Sequence, residues 1–150
     1  MPYSDLRKGR RSIAHQEYLI TTVCLDRRPV FSTEANTAAF SEQIHQDPHW
    51  LAWVLMPDHF HGLLRLSEGE SLSEIVRALK GRTAREIADL HWQPNFYDHA
   101  LRAEEDRLAI ARYLLGNPIR AGIVSSLREY PHWGCQWFTP GDDPDGLDDR

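Results

Sequence analysis

The segment Trp53-Val-Leu-Met-Pro-Asp-His-Phe-His-Gly-Leu-Leu-Arg-Leu66 carries the clearest structural pattern in the chain. Two apolar runs flank a Pro-Asp turn, which is the pattern of a β-hairpin with its second strand starting near His59. Side chains alternate faces along a strand, so His59 and His61 project together while Phe60 points the other way. Phe60, Leu64 and Leu66 then make an apolar side for packing, and His59, His61 and Arg65 share the opposite side with Leu63. Strand geometry holds the two imidazoles about 7 Å apart at their Cα atoms. They can converge on one divalent ion if a third ligand arrives from elsewhere. The pattern is short enough to arise by chance, so the rest of the chain has to support it.

The chain has 150 residues, 41% of them hydrophobic, which suits one globular core. No apolar run has membrane-spanning length and no signal-type segment opens the chain. Cys24 and Cys135 form no close pair, which speaks against a disulfide framework or a zinc knuckle. These features are those expected of a soluble cytoplasmic protein. The net charge of −5 argues at first against a nucleic-acid partner, but its distribution does not. Five aspartates and Arg150 fall within residues 142–150, a net of −5 + 1 = −4, which leaves the remainder near −1. Arg7, Lys8, Arg10 and Arg11 form a basic cluster at the front, and local patches rather than totals decide what docks. The expected organisation is one domain over residues 1–140, with a basic arm over about 1–12 and an acidic, disordered tail over 141–150.

Working outward from the hairpin, Tyr18–Leu25 is β-branched and apolar, a strand by composition. Ser32 or Thr33 can cap a helix to about Gln46, packing through Ala35, Ala38, Ala39, Phe40 and Ile44. Ser71-Leu-Ser-Glu74 has the capping-box form and opens a helix expected to run toward Leu90. Arg77, Lys80, Arg82 and Arg85 cluster on it, usually a wet face but also able to steer a phosphate backbone. His91–Leu101 is aromatic and suits a short strand, Ala103–Leu115 a helix, and Trp133–Phe138 an edge strand.

A second chemical feature lies in Ala111-Arg-Tyr-Leu-Leu-Gly-Asn-Pro-Ile-Arg-Ala-Gly-Ile-Val124. Tyr113 and Asn117 are four apart, so they share a face if the helix continues that far. An amide oxygen at Asn117 could bind the ion held by the histidines and place the Tyr113 hydroxyl beside it. The competing reading is that Asn117 before Pro118 is an N-cap followed by a first helical residue, which the local sequence favours. A lone helical tyrosine is likewise more often a core residue than a nucleophile.

Together these segments resemble the REP-associated tyrosine transposases, a branch of the single-tyrosine HUH nucleases. Tyr3-Ser-Asp-Leu-Arg-Lys-Gly-Arg-Arg-Ser12 looks like the family's opening motif, and Met56-Pro-Asp-His-Phe-His61 like its histidine–hydrophobe–histidine motif. Trp92-Gln-Pro-Asn-Phe-Tyr-Asp-His99 is similar to the segment before the catalytic helix, and Tyr113 through Val124 to the tyrosine-to-Asn-Pro motif.

The resemblance implies an α+β fold, a ferredoxin-like or RRM-like antiparallel sheet with packed helices. It implies a nuclease and strand transferase whose Tyr113 becomes joined to a 5′ phosphate of single-stranded or hairpin DNA carrying repetitive extragenic palindromes. The implied cofactor is Mg²⁺ or Mn²⁺ on His59, His61 and Asn117, and the protein would act as a monomer or homodimer. Arg7, Arg10 and Arg11 are the expected DNA contacts, with Arg65 and Arg120 as weaker candidates. A free phenol is only about one-thousandth ionised at neutral pH, a deficit of about 4 kcal/mol that a nearby cation reduces. The rival readings are a non-cleaving DNA-hairpin-binding regulatory module and a water-using phosphodiesterase on the same residues.

Overall fold

The hairpin forms as the apolar pattern requires. Strand β2 (Trp50–Met56) turns through Pro57 and Asp58 into β3 (His59–Arg65), with Met56 opposite His59 and Val54 opposite His61. The computed structural model describes residues 15–102 and 106–139. The basic arm with Arg7, Arg10 and Arg11 and the acidic tail lie outside the described residues.

Strand β1 (Glu17–Val23) pairs antiparallel with β3, and β4 (Tyr97–Ala100) pairs with β1 on its other side. The short β5 (Trp133–Cys135) pairs with β2. The sheet order is therefore β4-β1-β3-β2-β5, antiparallel throughout. Helix α1 (Glu34–His45) connects β1 to β2, and α2 (Leu72–Glu86) connects β3 to β4. This is the split βαβ arrangement of ferredoxin-like folds with one strand added at the β2 edge, so the expected α+β class is the observed one.

One face of the sheet packs on α1 and α2. Phe60 and Leu64 of β3 join Phe40, Ile44, Leu72, Val76 and Leu79 in one buried cluster. A register shift between Trp50 and Ala52 inserts an extra residue, so Trp50 and Trp53 both point into this cluster rather than to opposite faces. Gly62 makes room for them, since a Cβ there would lie 2.8 Å from both the Phe60 and Trp50 rings.

Both helices begin where their caps predict. The Thr33 hydroxyl accepts from the Asn36 N–H at 3.3 Å, and Ser71 from the Glu74 N–H at 3.5 Å. Their packing sides differ from the expectation in detail. Ala35 and Ala38 are exposed while Thr37 is buried, its hydroxyl satisfied by the Glu34 carbonyl at 2.9 Å. Helix α2 stops at Glu86 rather than near Leu90, because Ile87 leaves helical geometry (φ −118°, ψ 103°) and both Ile87 and Leu90 turn into the core. Two members of the basic cluster on α2 make structural contacts, while Arg77 and Arg85 are exposed. Lys80 donates to the Gln93 carbonyl at 2.9 Å and Arg82 to Asp47 at 3.3 Å. The packing of α2 also lies on the sheet face away from His59 and His61.

His49 ties the start of β2 to the loop before α2. Its Nδ1 lies 2.5 Å from Asp47 Oδ1 and its Nε2 2.5 Å from Glu70 Oε2. An imidazole donates from both nitrogens only when protonated. Burial opposes that charge, but the bonds to Glu70 and Asp47 outweigh it and raise the His49 pKa; the bond to His49 chiefly depresses Glu70. The histidine's contribution is therefore complete below its unfolded value of about 6.5 and disappears as pH rises through the raised folded value. The Glu70 contribution is complete above about 4.3 and disappears as pH falls through the depressed value. His49→Gln should thus destabilise the protein by about 1–2 kcal/mol near pH 6 and by much less near pH 9, as urea denaturation at the two pH values would read. An equal loss at both would show that the bridge does not depend on the imidazolium.

Candidate active site

The other sheet face carries the histidines. Cross-strand pairing puts Tyr97, Thr21, His61, Val54 and Trp133 in one row, and Val23, His59 and Met56 in a second. Helix α3 (Arg107–Leu115) lies over this face, opened by Asp106, whose carboxylate accepts from the Leu108 N–H at 2.9 Å. Leu114 and Leu115 bury against Val54, Met56 and Trp133, and Ala111 against Ala52 and Leu63. The strand neighbours of both histidines are therefore covered by the same helix that carries Tyr113. Tyr113 itself points outward and is 64% exposed. A large aromatic on the solvent side of the helix leaves its oxygen free to meet a substrate.

The backbone beyond Tyr113 stays helical. Gly116 has φ −74° and ψ −7°, and the short helix α4 (Asn117–Arg120) follows directly. Tyr113, Asn117 and Arg120 hence fall at i, i+4 and i+7 on one side. The capping reading of Asn117 does not hold. Gly116 occupies the cap position, no side chain caps α4, and Asn117 is its first helical residue. The Asn117 Oδ1 instead accepts from Arg120 Nη2 at 2.8 Å. Arg120 also donates to the Tyr113 carbonyl and stacks its guanidinium 3.9 Å from the Tyr113 ring centroid.

Each histidine is oriented through Nδ1. His61 Nδ1 lies 2.5 Å from Thr21 Oγ1, and His59 Nδ1 lies 2.8 Å from Asp58 Oδ1 in the hairpin turn. In the tautomers that donate from Nδ1, the Nε2 lone pairs are left to bind something else, the usual arrangement behind a metal-ligating imidazole. Burial, the neighbouring His59 and the Arg120 charge push the His61 pKa down to about 4, so His61 is neutral at physiological pH. Burial works against the Asp58 carboxylate, yet His59 and Arg27 outweigh it and hold its pKa low.

Among the described residues no three His, Cys, Asp or Glu side chains gather into a metal site. The donor set that could hold an ion is the mixed one expected from the sequence: two imidazoles and the Asn117 amide oxygen. The ring centroids stand 6.5 Å apart. That is about the widest spacing at which two Nε2 atoms reach one ion, given metal–nitrogen bonds of about 2.1 Å, so modest side-chain rotation brings them to a closer pairing. Two imidazoles with carboxylate and hydroxyl partners behind them, an amide oxygen and no thiolate fit a catalytic divalent cation rather than a closed structural zinc.

The remaining candidates separate. Arg65 is exposed and shares the histidine face by alternation, but stands four residues along β3, about 13 Å from His61. Arg120 is close enough for its charge to be felt at His61. Two residues that orient the histidines, Thr21 and Asp58, were missed by sequence reasoning, as was the exposed Tyr97. Thr21 was legible only once β1 was paired with β3 in register. Tyr97 is 41% exposed on the edge strand, in the His61 row and about 10 Å away across two strand spacings.

The chain belongs to the family described as IS200-like transposases, whose model matches residues 12–100, from before β1 to the end of β4. The match includes His59 and His61; Tyr113 and Asn117 lie beyond it. A REP-associated tyrosine transposase of Escherichia coli (strain K12) is 32% identical over 82 residues, covering 53% of this chain and 50% of that protein. An uncharacterised protein of Haemophilus influenzae is 29% identical over 112 residues, 56% of this chain and 59% of that one. The chain thus spans between half and three fifths of the length of these two relatives. A solved REP-associated tyrosine transposase bound to a REP hairpin superposes with a TM-score of 0.68 at 25% identity, covering 84% of this chain and 81% of that one. The resemblance drawn from the motifs is therefore matched in sequence and in fold. No described helix is long and apolar enough to cross a membrane.

Proposed function

We propose that this protein is a single-strand DNA endonuclease and strand transferase that acts on palindromic hairpin DNA through a covalent bond to Tyr113. The observation that carries the reading is the shared sheet face, on which two histidines, each held through Nδ1, lie on the side covered by the helix bearing an exposed tyrosine. Likeness to a relative solved on a REP hairpin supports hairpin DNA as the partner.

The residues divide the work. His59, His61 and Asn117 would hold Mg²⁺ or Mn²⁺, which when bound polarises the scissile phosphate and draws it to the site. Asp58 and Thr21 fix the imidazole rings so that little reorganisation is needed when a ligand arrives. Tyr113 Oη attacks phosphorus in line; the Tyr–O–P bond forms as the P–O3′ bond breaks, and the phenol proton passes through solvent to the departing 3′ oxygen. Because the phosphodiester is exchanged and not hydrolysed, the free 3′ hydroxyl of an acceptor strand can reverse the step without a nucleotide cofactor. Arg120, and Arg7, Arg10 and Arg11 of the basic arm, would contact phosphates, with Arg65 at the outer end of the same face.

Tyr97 extends this surface. An exposed aromatic on a sheet face offers a platform on which a base can stack, worth about 1–3 kcal/mol per base. Tyr97→Ala is expected to weaken binding of single-stranded oligonucleotides by about tenfold or more in fluorescence anisotropy. Affinity equal to wild type would remove Tyr97 from the interface.

The deciding experiment incubates the protein with end-labelled single-stranded hairpins, with and without Mg²⁺ or Mn²⁺, and maps the products. A 5′-linked tyrosyl adduct with a free 3′ hydroxyl, formed only with the divalent ion, is the expected result. Tight binding without cleavage would replace this reading with the regulatory module. Free 5′ phosphate ends without an adduct would replace it with a hydrolase.

A further inference from the structure

The contacts of Arg120 exceed what a surface DNA contact needs. One guanidinium engages the Asn117 amide oxygen at 2.8 Å, the Tyr113 carbonyl and the face of the Tyr113 ring. Its charge is also felt at His61. The helical continuity through Gly116 produces this convergence, because it stacks positions 113, 117 and 120 along one side.

We infer that Arg120 is the gate of this site: its guanidinium holds the Asn117 amide oxygen and pins the Tyr113 ring, and both are released when it moves to a DNA phosphate. The inference rests on the proposed roles of Asn117 and Tyr113. A guanidinium hydrogen-bonded to an amide oxygen and a divalent cation ligated by the same oxygen repel one another at short range, so the two occupants exclude each other. A phosphate is the better partner for the guanidinium, since it accepts two parallel charge-assisted bonds where the amide accepts one. DNA therefore draws Arg120 away from Asn117 and opens the third ligand position, while the Tyr113 ring loses its cation–π contact and is free to swing. Linkage makes the effect reciprocal: DNA tightens cation binding and the cation tightens DNA binding. The consequence is a nuclease whose ligand set is complete only when a phosphate is present.

The test measures Mn²⁺ binding directly, by the electron paramagnetic resonance signal of free Mn²⁺, with the full chain and no DNA. Arg120→Ala is expected to bind Mn²⁺ about tenfold more tightly than wild type, the scale of one charge-assisted hydrogen bond removed from its acceptor. A single-stranded hairpin made uncleavable by a methylene group in place of the 3′ bridging oxygen of the scissile phosphodiester should tighten Mn²⁺ binding in wild type and change it little in Arg120→Ala. Adding Asn117→Ala to Arg120→Ala should cancel the gain, and circular dichroism checks that each variant is folded. Unchanged or weaker Mn²⁺ binding in folded Arg120→Ala would overturn the gate, as would a gain that survives loss of Asn117. Wild-type protein that forms a Tyr113 adduct while Arg120→Ala shows no gain removes the gate alone; absence of the adduct in wild type removes the functional reading itself.

Discussion

Tyr113→Phe is expected to abolish the covalent protein–DNA adduct while hairpin affinity stays within about twofold of wild type. The substitution deletes one oxygen. The ring remains exposed, and a phenylalanine face still accepts the Arg120 guanidinium, whose other bonds go to the Tyr113 backbone and to Asn117. Stability should change by less than about 0.5 kcal/mol, as for a surface substitution outside the packed contacts. The measurement is a denaturing gel of labelled hairpin after incubation with the divalent ion, with mass spectrometry of the attachment site on wild type. An adduct that persists in the phenylalanine variant would transfer the role to another nucleophile. Tyr97, also exposed on this face, is the alternative the same mass spectrum would reveal.

How much of this arrangement could be read from the residues differs between the two halves of the site. The histidine half was written locally. Alternation along β3 fixes which side chains share a face, and the Pro57–Asp58 turn fixes where the strand begins, so His59 and His61 were placed together without any tertiary knowledge. The tyrosine half depended on a conformational choice at Gly116 and Asn117 that local preferences misjudge. Asn before Pro favours a cap, and a residue before proline resists helical geometry. The observed continuation is held by tertiary packing: Pro118 is buried and Ile119 joins Leu114 and Leu115 against Val54 and Met56. That burial of apolar surface outweighs the local penalty. The partners of the histidines were less legible still. Asp58 adjoins His59 in sequence but its role needed the turn geometry, and Thr21 stands 40 positions from His61, joined to it only by strand register. Two of the three packing alanines of α1, Ala35 and Ala38, were misplaced for a different reason, while Ala39 does pack against the core. Thr37 satisfies its hydroxyl within the helix and so can occupy a core position that composition assigns to an apolar residue.

His61→Ala should remove DNA cleavage by at least about 100-fold, equivalent to about 3 kcal/mol of transition-state stabilisation, with hairpin binding retained in the absence of divalent ion. The loss would be confined to the site and would not reflect general damage to the fold. His61 is neutral, with Nδ1 bonded to Thr21 and Nε2 without a partner among the described residues, so its imidazole is arranged to give a lone pair to something outside the protein. Deleting it costs the fold one hydrogen bond at the rim of the α3 interface, about 1 kcal/mol, too little to unfold an ordinary domain. Thr21→Val separates positioning from ligation: it keeps the ring and its Nε2 but frees its orientation, and a loss of about 10-fold is expected. The pair of variants predicts an order. If His61 ligates, Mn²⁺ affinity falls in both, more steeply for His61→Ala, and raised Mn²⁺ restores Thr21→Val further than His61→Ala. Were His61 instead a proton carrier, its alanine variant would bind Mn²⁺ like wild type and its cleavage would respond to pH and added imidazole but not to the ion. Equal activity of His61→Ala and wild type would take the histidine face out of the chemistry altogether, leaving the Tyr113 helix without the partner that its packing over Val54 and Met56 supplies.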